Sequence, residues 1–310
     1  MEYPHIPVMP AETMDALDVR PGDVVLDATA GMGGHSALIL ERLGENGRLI
    51  CFDEDPEAIS VLNGRFGSDP RVTVVNTNFS RVKTALGEMG VARVDRVLAD
   101  LGVSSLQLDT PERGFSYVHD GPLLMSFDRN GKRTAGELIN TLPKQELIRI
   151  LRDYGEERFA PQIAAVIIRA RERKPLETTG ELAEIVKTAI PQKSRRTGGN
   201  PCKRTFQAFR IATTGELDVL PGALKDFFDV TSKGGRVAVI TFHSLEDRIV
   251  KYYFRELTVS CTCPPESPVC VCGTVQKARL LFSSRTASPA EQLSNPRSKS
   301  ARLRAVEKLV

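Results

Sequence analysis

A cluster of glycines and three aspartates carry the first chemical signal in the chain. Gly31-Met32-Gly33-Gly34 stands between an apolar run, Val24-Val25-Leu26, that ends in Asp27 and a helical stretch from Ser36 to Leu43. Glycines at such a turn let the backbone come close to a ligand, and the first N–H groups of the helix point at it without partners of their own. A nucleotide-like ligand is expected. Asp53 ends a second strand about 20 residues on, where a carboxylate can accept both hydroxyls of a ribose. Its plainer role is a solvated helix cap, since Glu54, Asp55 and Pro56 suit a helix start. Asp100 closes a further strand and opens Asp100-Leu101-Gly102-Val103-Ser104-Ser105, so it is expected to face the same crevice. An exocyclic base amine is a poor nucleophile because its lone pair is conjugated into the ring, and an acceptor for its N–H, Asp100 or the Leu101 carbonyl, would help to free it. Capping of the next turn is the alternative for Asp100.

Cys261-Thr262-Cys263 and Cys270-Val271-Cys272 form two C-x-C pairs joined by a proline-rich link. Four thiolates at that spacing reach one tetrahedral ion, and zinc favours such a closed shell. The site reads as structural, because four cysteines leave no open position for catalysis. An iron–sulfur cluster and four reduced thiols in an exposed loop are the competing readings.

From Pro191 to Arg210 the chain carries Lys193, Arg195, Arg196, Lys203, Arg204 and Arg210 with no acid, and Gly198-Gly199 gives that stretch freedom. A solvated loop is the ordinary meaning of a charge run. Here it could also follow a phosphate backbone, with Arg195, Arg196, Lys203 and Arg204 as contacts and Arg297, Lys299, Arg302 and Arg304 adding to them. Leu303 and Val306 alternate with some of these as they would on a strand. A base within folded RNA must be extruded before it can react, and Phe115, Tyr117 and Phe242 are candidates to stack on it, core packing being the other fate for each.

The elements that must position these groups follow from the hydrophobic pattern. Strand-like runs at Val24–Leu26, Arg48–Phe52, Val72–Val75 and Asp95–Ala99 alternate with helical stretches, the order of a parallel α/β sheet. From about Thr134 to Pro191 the periodicity is helical throughout: Ile163, Val166 and Ile167 share one face, and Leu182, Ile185, Val186 and Ala189 another. The α/β texture returns with a Phe206–Leu220 helix and with the strand Arg236–Ile240 behind Gly234-Gly235. This predicts a Rossmann-like fold with a mainly parallel sheet, residues 1–130 and 204–310, interrupted by an all-helical insert, 131–203. Ser36 occupies the third position of G-x-G-x-x-G, where a dinucleotide fold wants glycine or alanine, so a nicotinamide-dependent dehydrogenase fits less well than a methyl donor. A net charge of +3 over 310 residues announces no partner by itself. The prolines and acids of Met1–Leu17 do not suit a secretory signal, and no 18-residue apolar run is present, so a cytoplasmic protein without a membrane partner is expected.

Several segments are longer and more specific than such devices require. Asp27-Ala28-Thr29-Ala30-Gly31-Met32-Gly33-Gly34-His35-Ser36, Asp100 through Asp109, Arg113-Gly114-Phe115-Ser116, Gly155-Glu156-Glu157-Arg158-Phe159 and Ser244-Leu245-Glu246-Asp247-Arg248 together resemble the bacterial 16S ribosomal RNA cytosine-N4 methyltransferases, the MraW or RsmH family. The resemblance runs from His5-Ile6-Pro7-Val8 to Asn295-Pro296-Arg297-Ser298. It implies a class I methyltransferase fold, S-adenosylmethionine as donor, and methylation of a cytidine in the decoding region of 16S rRNA, within the small ribosomal subunit. It further implies donor contacts at Gly33, Gly34 and His35, at Asp53 on the ribose, at Phe79 and Asp100, and at Gln107 closing the pocket, with Asp100 as the catalytic group. Two places depart from the family pattern. Leu124 and Ser126 replace an acid and a base in Asp120-Gly121-Pro122-Leu123-Leu124-Met125-Ser126-Phe127-Asp128, and Asn200-Pro201-Cys202-Lys203-Arg204 lacks the family's histidine. A non-catalytic RNA-binding assembly factor would share the basic stretch but would have no use for Asp100.

Overall fold

A computed structural model describes residues 7–127, 133–192, 200–264 and 269–310. The chain divides into two compact units, Met1–Gly102 with Leu217–Val310, and Val103–Glu216.

In the first unit, strands β1 (Val24–Asp27), β2 (Arg48–Asp53), β3 (Val72–Asn76), β4 (Val94–Asp100), β5 (Thr231–Thr241), β6 (Ala278–Arg285) and β7 (Arg302–Lys308) form one sheet in the order β3-β2-β1-β4-β5-β7-β6. The pairs from β3 through β5 are parallel, and β7 runs antiparallel between β5 and β6. This is a Rossmann-like architecture, with the strand order reversing between β1 and β4. Alternate side chains feed two cores. Leu26, Ile50, Phe52, Val97, Ala99, Val237 and Val239 pack on one face, and Val25, Leu49, Cys51, Leu98, Ala238 and Ile240 on the other. Burial on both faces explains why the parallel strands read as unbroken apolar runs. Helices α1 (Pro10–Leu17), α2 (Gly34–Leu43) and α3 (Pro56–Phe66) supply Leu17, Ile39 and Leu62 to the second core, while α4 (Val82–Glu88) supplies Leu86 to the first.

The second unit is helical: α5 (Ser105–Asp109), α6 (Ala135–Thr141), α7 (Lys144–Asp153), α8 (Ala160–Arg171), α9 (Thr179–Ala189) and α10 (Cys202–Thr214). Ile150, Ile163, Ile167, Leu182 and Val186 form its core with Phe206 and Phe209. Phe115, Leu123 and Met125 join that same core, which is why the compact unit reaches back to Val103, and α10 carries it forward to Glu216. The single helix expected from Phe206 to Leu220 is two: Gly215, at φ 68°, ends α10, and α11 (Glu216–Val230) starts beyond it. Two further helices, α12 (Ser244–Leu257) and α13 (Pro289–Ser294), belong to the first unit. Among the described residues no helix is long and apolar enough to cross a membrane.

Candidate functional site

The carboxyl ends of β1, β2 and β4 meet at the reversal in strand order, the place where open α/β sheets bind ligands. Asp27, at the end of β1, is 1% exposed. A carboxylate taken out of water needs donors, and Ser36 Oγ on α2 provides one at 2.7 Å, with the Thr29 N–H at 3.4 Å. Burial still pushes the Asp27 carboxyl above the usual carboxylate range, Ser36 opposing the shift. Thr29 also reaches the next strand: its Oγ1 accepts the Asp100 N–H at 2.6 Å.

Between Thr29 and α2 the chain turns through Gly31 (φ 53°) and Gly33 (φ 77°), a left-handed region that favours glycine. The two glycines differ in what surrounds them. A Cβ on Gly33 would lie 2.5 Å from Phe66 Cε2, so that residue is small because α3 packs against it; a Cβ on Gly31 would meet nothing within 4 Å. The Gly31 N–H donates to Asp53 Oδ2 at 2.8 Å, and the Asp55 N–H donates to Oδ1 at 2.8 Å. Asp53 is therefore held by the glycine turn, and the N-cap of α3 is Asp55, which accepts from the Glu57 N–H. Burial pushes the Asp53 carboxyl up to about 6 against those two backbone donors.

His35, the second residue of α2, is 5% exposed and its Nε2 lies 3.6 Å from Asp100 Oδ2. Burial alone would depress its imidazolium, but Asp100 and Asp27 raise it above the usual histidine range. Both ring nitrogens of His35 and Asp100 Oδ1 are buried without a hydrogen-bond partner among the described residues. His35 and Asp100 thus hold unused hydrogen-bonding atoms side by side. Phe79 follows β3 in a short 3₁₀ turn, half-buried, its ring 6.2 Å from that of Phe227 on α11.

Residues expected at the site from the second unit are seen there in their own surroundings. Gln107 is buried, and its Oε1 accepts the Ser104 N–H at 3.0 Å while Ser104 Oγ accepts the Gln107 N–H, a reciprocal cap on α5. Phe115 is core, stacked on Phe127 at 5.9 Å, and Tyr117 sets its edge against Phe206. Lys203 and Arg204 are exposed on the first turn of α10, whereas Arg210 is half-buried and paired with Glu216 at 2.8 Å. Arg195 and Arg196 lie outside the described residues. In the first unit Arg304 corrects the sequence reading: it is 8% exposed and grips both oxygens of Asp247 at 2.7 and 3.0 Å, so it offers no outer face to a phosphate.

The four cysteines converge. Cys261 and Cys270 Sγ are 3.5 Å apart, Cys270 and Cys272 3.5 Å, Cys272 and Cys261 3.8 Å, Cys263 and Cys270 3.9 Å. A tetrahedron with metal–sulfur bonds near 2.3 Å has edges of about 3.8 Å. The Thr262 N–H donates to Cys272 Sγ and holds its thiol down at about 4, and the Val271 N–H lowers Cys263 in the same way. Sequence reasoning missed the neighbour of this loop, the edge strand β6, although Leu280-Leu281-Phe282 within Ala278–Arg285 is a short apolar run that could have signalled it.

The sequence comparisons agree with one another. A model of the MraW methylase family matches residues 2–309. The ribosomal RNA small subunit methyltransferase H of Symbiobacterium thermophilum is 51% identical over 313 residues, covering 100% of this chain and 98% of its own. A methyltransferase H 2 from Agathobacter rectalis and a methyltransferase H from a Geobacter species are each 48% identical, with 99% of both chains covered.

The two glycines give a divided expectation. Gly33→Ala forces a Cβ into Phe66 and should lower stability by roughly 2–4 kcal/mol in thermal unfolding. Gly31→Ala should cost about 1–2 kcal/mol of backbone strain alone, yet abolish ligand binding in calorimetry, because its methyl enters the open space of the crevice.

Proposed function

The chain belongs to the MraW methylase family, and from that premise we propose that it methylates the N4 amine of one cytidine in the decoding region of 16S ribosomal RNA, using S-adenosylmethionine. The observation that carries this reading is the convergence of the Gly31 turn, Asp53, His35 and Asp100 at the ends of β1, β2 and β4. The donor set fits: a ribose diol suits the Asp53 carboxylate, and a zwitterionic amino-acid tail suits the unpartnered nitrogens of His35 and the unpartnered Oδ1 of Asp100. When bound, S-adenosylmethionine would supply an electrophilic methyl group, its sulfonium sulfur keeping the electron pair of the broken carbon–sulfur bond and leaving as a neutral thioether.

The chain's own residues do the rest. Gly31, Gly33 and Gly34 admit the donor against backbone, and Asp53 fixes its ribose. Phe79 lines the adenine side by family resemblance, and Gln107 closes the pocket by the same resemblance. Asp100 accepts the N–H of the cytidine amine, drawing electron density back onto N4 as the bond to carbon forms, and the amine proton leaves by that route. His35, its Nε2 3.6 Å from Asp100 Oδ2, sets a positive charge beside that carboxylate when protonated. Lys203 and Arg204 contact RNA phosphates, as do Arg195 and Arg196. No covalent enzyme intermediate is needed: Cys51 and Cys202 are buried, and burial pushes their thiols up to about 12 and about 11, where a thiolate nucleophile is unavailable. Cys261, Cys263, Cys270 and Cys272 take no part in transfer and hold one structural zinc ion in this reading. Among the described residues between Leu257 and Ala278 none is buried, so apolar packing gives that loop nothing to fold on.

Mass spectrometry of small-subunit RNA from cells lacking the protein should show the loss of one methyl on one cytidine; persistence of every methylated cytidine would sink the assignment. Asp100→Ala should fail to restore it, with turnover in vitro lower by about a hundredfold or more. Calorimetry should give saturable binding of S-adenosylmethionine and none of NAD. Donor affinity should also fall as pH drops through about 6, because the Asp53 carboxyl must be ionised to accept both hydroxyls. An affinity flat from pH 8 to 5 would remove Asp53 from the ribose.

Metal analysis should return one zinc per chain. Its removal with a chelator should open the Leu257–Ala278 loop to proteolysis while S-adenosylmethionine binding persists, whereas a protein equally resistant without metal would show the cysteines to be mere neighbours.

A further inference from the structure

Helix α12 leaves the sheet beside the proposed site. β5 pairs in parallel with β4, Ile240 opposite Asp100, and His243, three positions later, is the N-cap of α12. At 100° per residue, Val250, Phe254 and Leu257 fall on one side of this helix with Glu246, and all four are buried. The opposite side carries Arg248, Lys251, Tyr252 and Arg255, all exposed, with no acidic residue between them.

Three features separate this stripe from an ordinary solvated face. Tyr252 is 61% exposed, and among the described residues it is the only aromatic in the set of strongly exposed large apolar side chains. A ring of that size left in water amid cations is costly to an isolated protein and useful to one that stacks on something. Many other cations of the unit are matched: Lys83 by Asp226 and Asp229, Lys225 by Asp229, Arg236 by Glu307, Arg304 by Asp247. Among the described residues neither Lys251 nor Arg255 makes an ion pair. Finally, the helix starts at the Asp100 end of the sheet, and its cations from Arg248 to Arg255 span about 10 Å along the axis.

We propose that the Arg248–Lys251–Tyr252–Arg255 face of α12 is a second RNA contact: it holds the phosphates flanking the target nucleotide and stacks one unpaired base on Tyr252. This rests on the reading of the protein as a ribosomal RNA methyltransferase. Lys251 and Arg255, without ion pairs among the described residues, fit a polyanion, and an exposed ring beside them fits the face of an unstacked base rather than a smooth protein surface. The face belongs to the first unit, whereas Lys203 and Arg204 belong to the second, and it involves no donor-binding residue.

The test compares Lys251→Glu/Arg255→Glu, the charge-conserving Lys251→Arg/Arg255→Lys, Tyr252→Ala and Tyr252→Phe in the full-length protein. On protein-free 16S RNA at low salt, the charge-reversed variant should bind about tenfold or more weakly, and the slope of log affinity against log salt should shrink by about 1.4, two single-strand phosphate contacts' worth. Tyr252→Ala should bind about fivefold or more weakly, and Tyr252→Phe should bind like the parent. For the weakened variants KM for RNA should rise with kcat and S-adenosylmethionine affinity unchanged. An RNA affinity and salt slope equal to the parent's would overturn the proposal. So would weakening seen only with assembled subunits and not with naked RNA, which would give the face to a ribosomal protein. Neither outcome touches the methyltransferase reading, which falls only if the parent protein methylates no cytidine.

Discussion

The first unit is organised around carboxylates that have been taken out of water at the ends of neighbouring parallel strands. Asp27 is the extreme case, all but inaccessible, and among the described residues its two oxygens accept from Ser36 on the helix that follows and from the backbone of the turn between them. An unsatisfied buried carboxylate costs several kcal/mol, so the turn is not free to adopt another path. Thr29, fixed by that requirement, offers its hydroxyl oxygen to the Asp100 N–H and so ties the end of β1 to the end of β4 across the reversal in strand order. Gly31 then ties the same turn to Asp53 on β2. One desolvated group thus dictates where the carboxylates of Asp53 and Asp100 are held.

That logic explains which features could be read from the sequence. Asp53 and Asp100 were legible because each closes an apolar run at the same end of a parallel strand, and topology then brings such ends together whatever lies between them. The cysteines were legible because a C-x-C pair limits how far apart two sulfurs can be. Arg304 was not: its partner Asp247 lies 57 positions away on α12, and spacing along β7 alone suggests an outward side chain. β6 escaped notice because its apolar stretch, Leu280-Leu281-Phe282, is short and set among the arginines and serines of an edge strand lying largely in water. The helical unit was recognised by its 3.6-residue period, but not that Phe115, Leu123 and Met125, on irregular chain, share its core. Periodicity reports regular elements, and these residues belong to none.

Electrostatic matching is uneven across the first unit, and the unevenness has a direction. Around the sheet's antiparallel side and the α4–α11 face, cations meet acids: Arg236 and Arg279 share Glu307, and Lys83 lies between Asp226 and Asp229. Near the carboxyl ends of the strands the balance breaks twice, in opposite senses. Inside the crevice Asp27, Asp53 and Asp100 gather with His35 as the only titratable base among them, an environment suited to a ligand bearing positive charge. Outside it, on α12, Lys251 and Arg255 make no ion pair among the described residues.

Ser36 joins these two levels. In a dinucleotide fold its position is held by glycine or alanine so that helix and strand can pack closely. Here the hydroxyl at that position is spent on Asp27 at 2.7 Å, and its oxygen also lies 3.4 Å from Cys51 Sγ on β2. A glycine there would leave the buried carboxylate without its best donor, and the turn that carries Thr29 and Gly31 would lose its anchor. The substitution that separates this glycine turn from the nicotinamide pattern is therefore also the one that allows an aspartate to be buried beneath it. The departure from the dinucleotide motif is a structural requirement of the pocket, and it follows from the same desolvation that fixes Asp100.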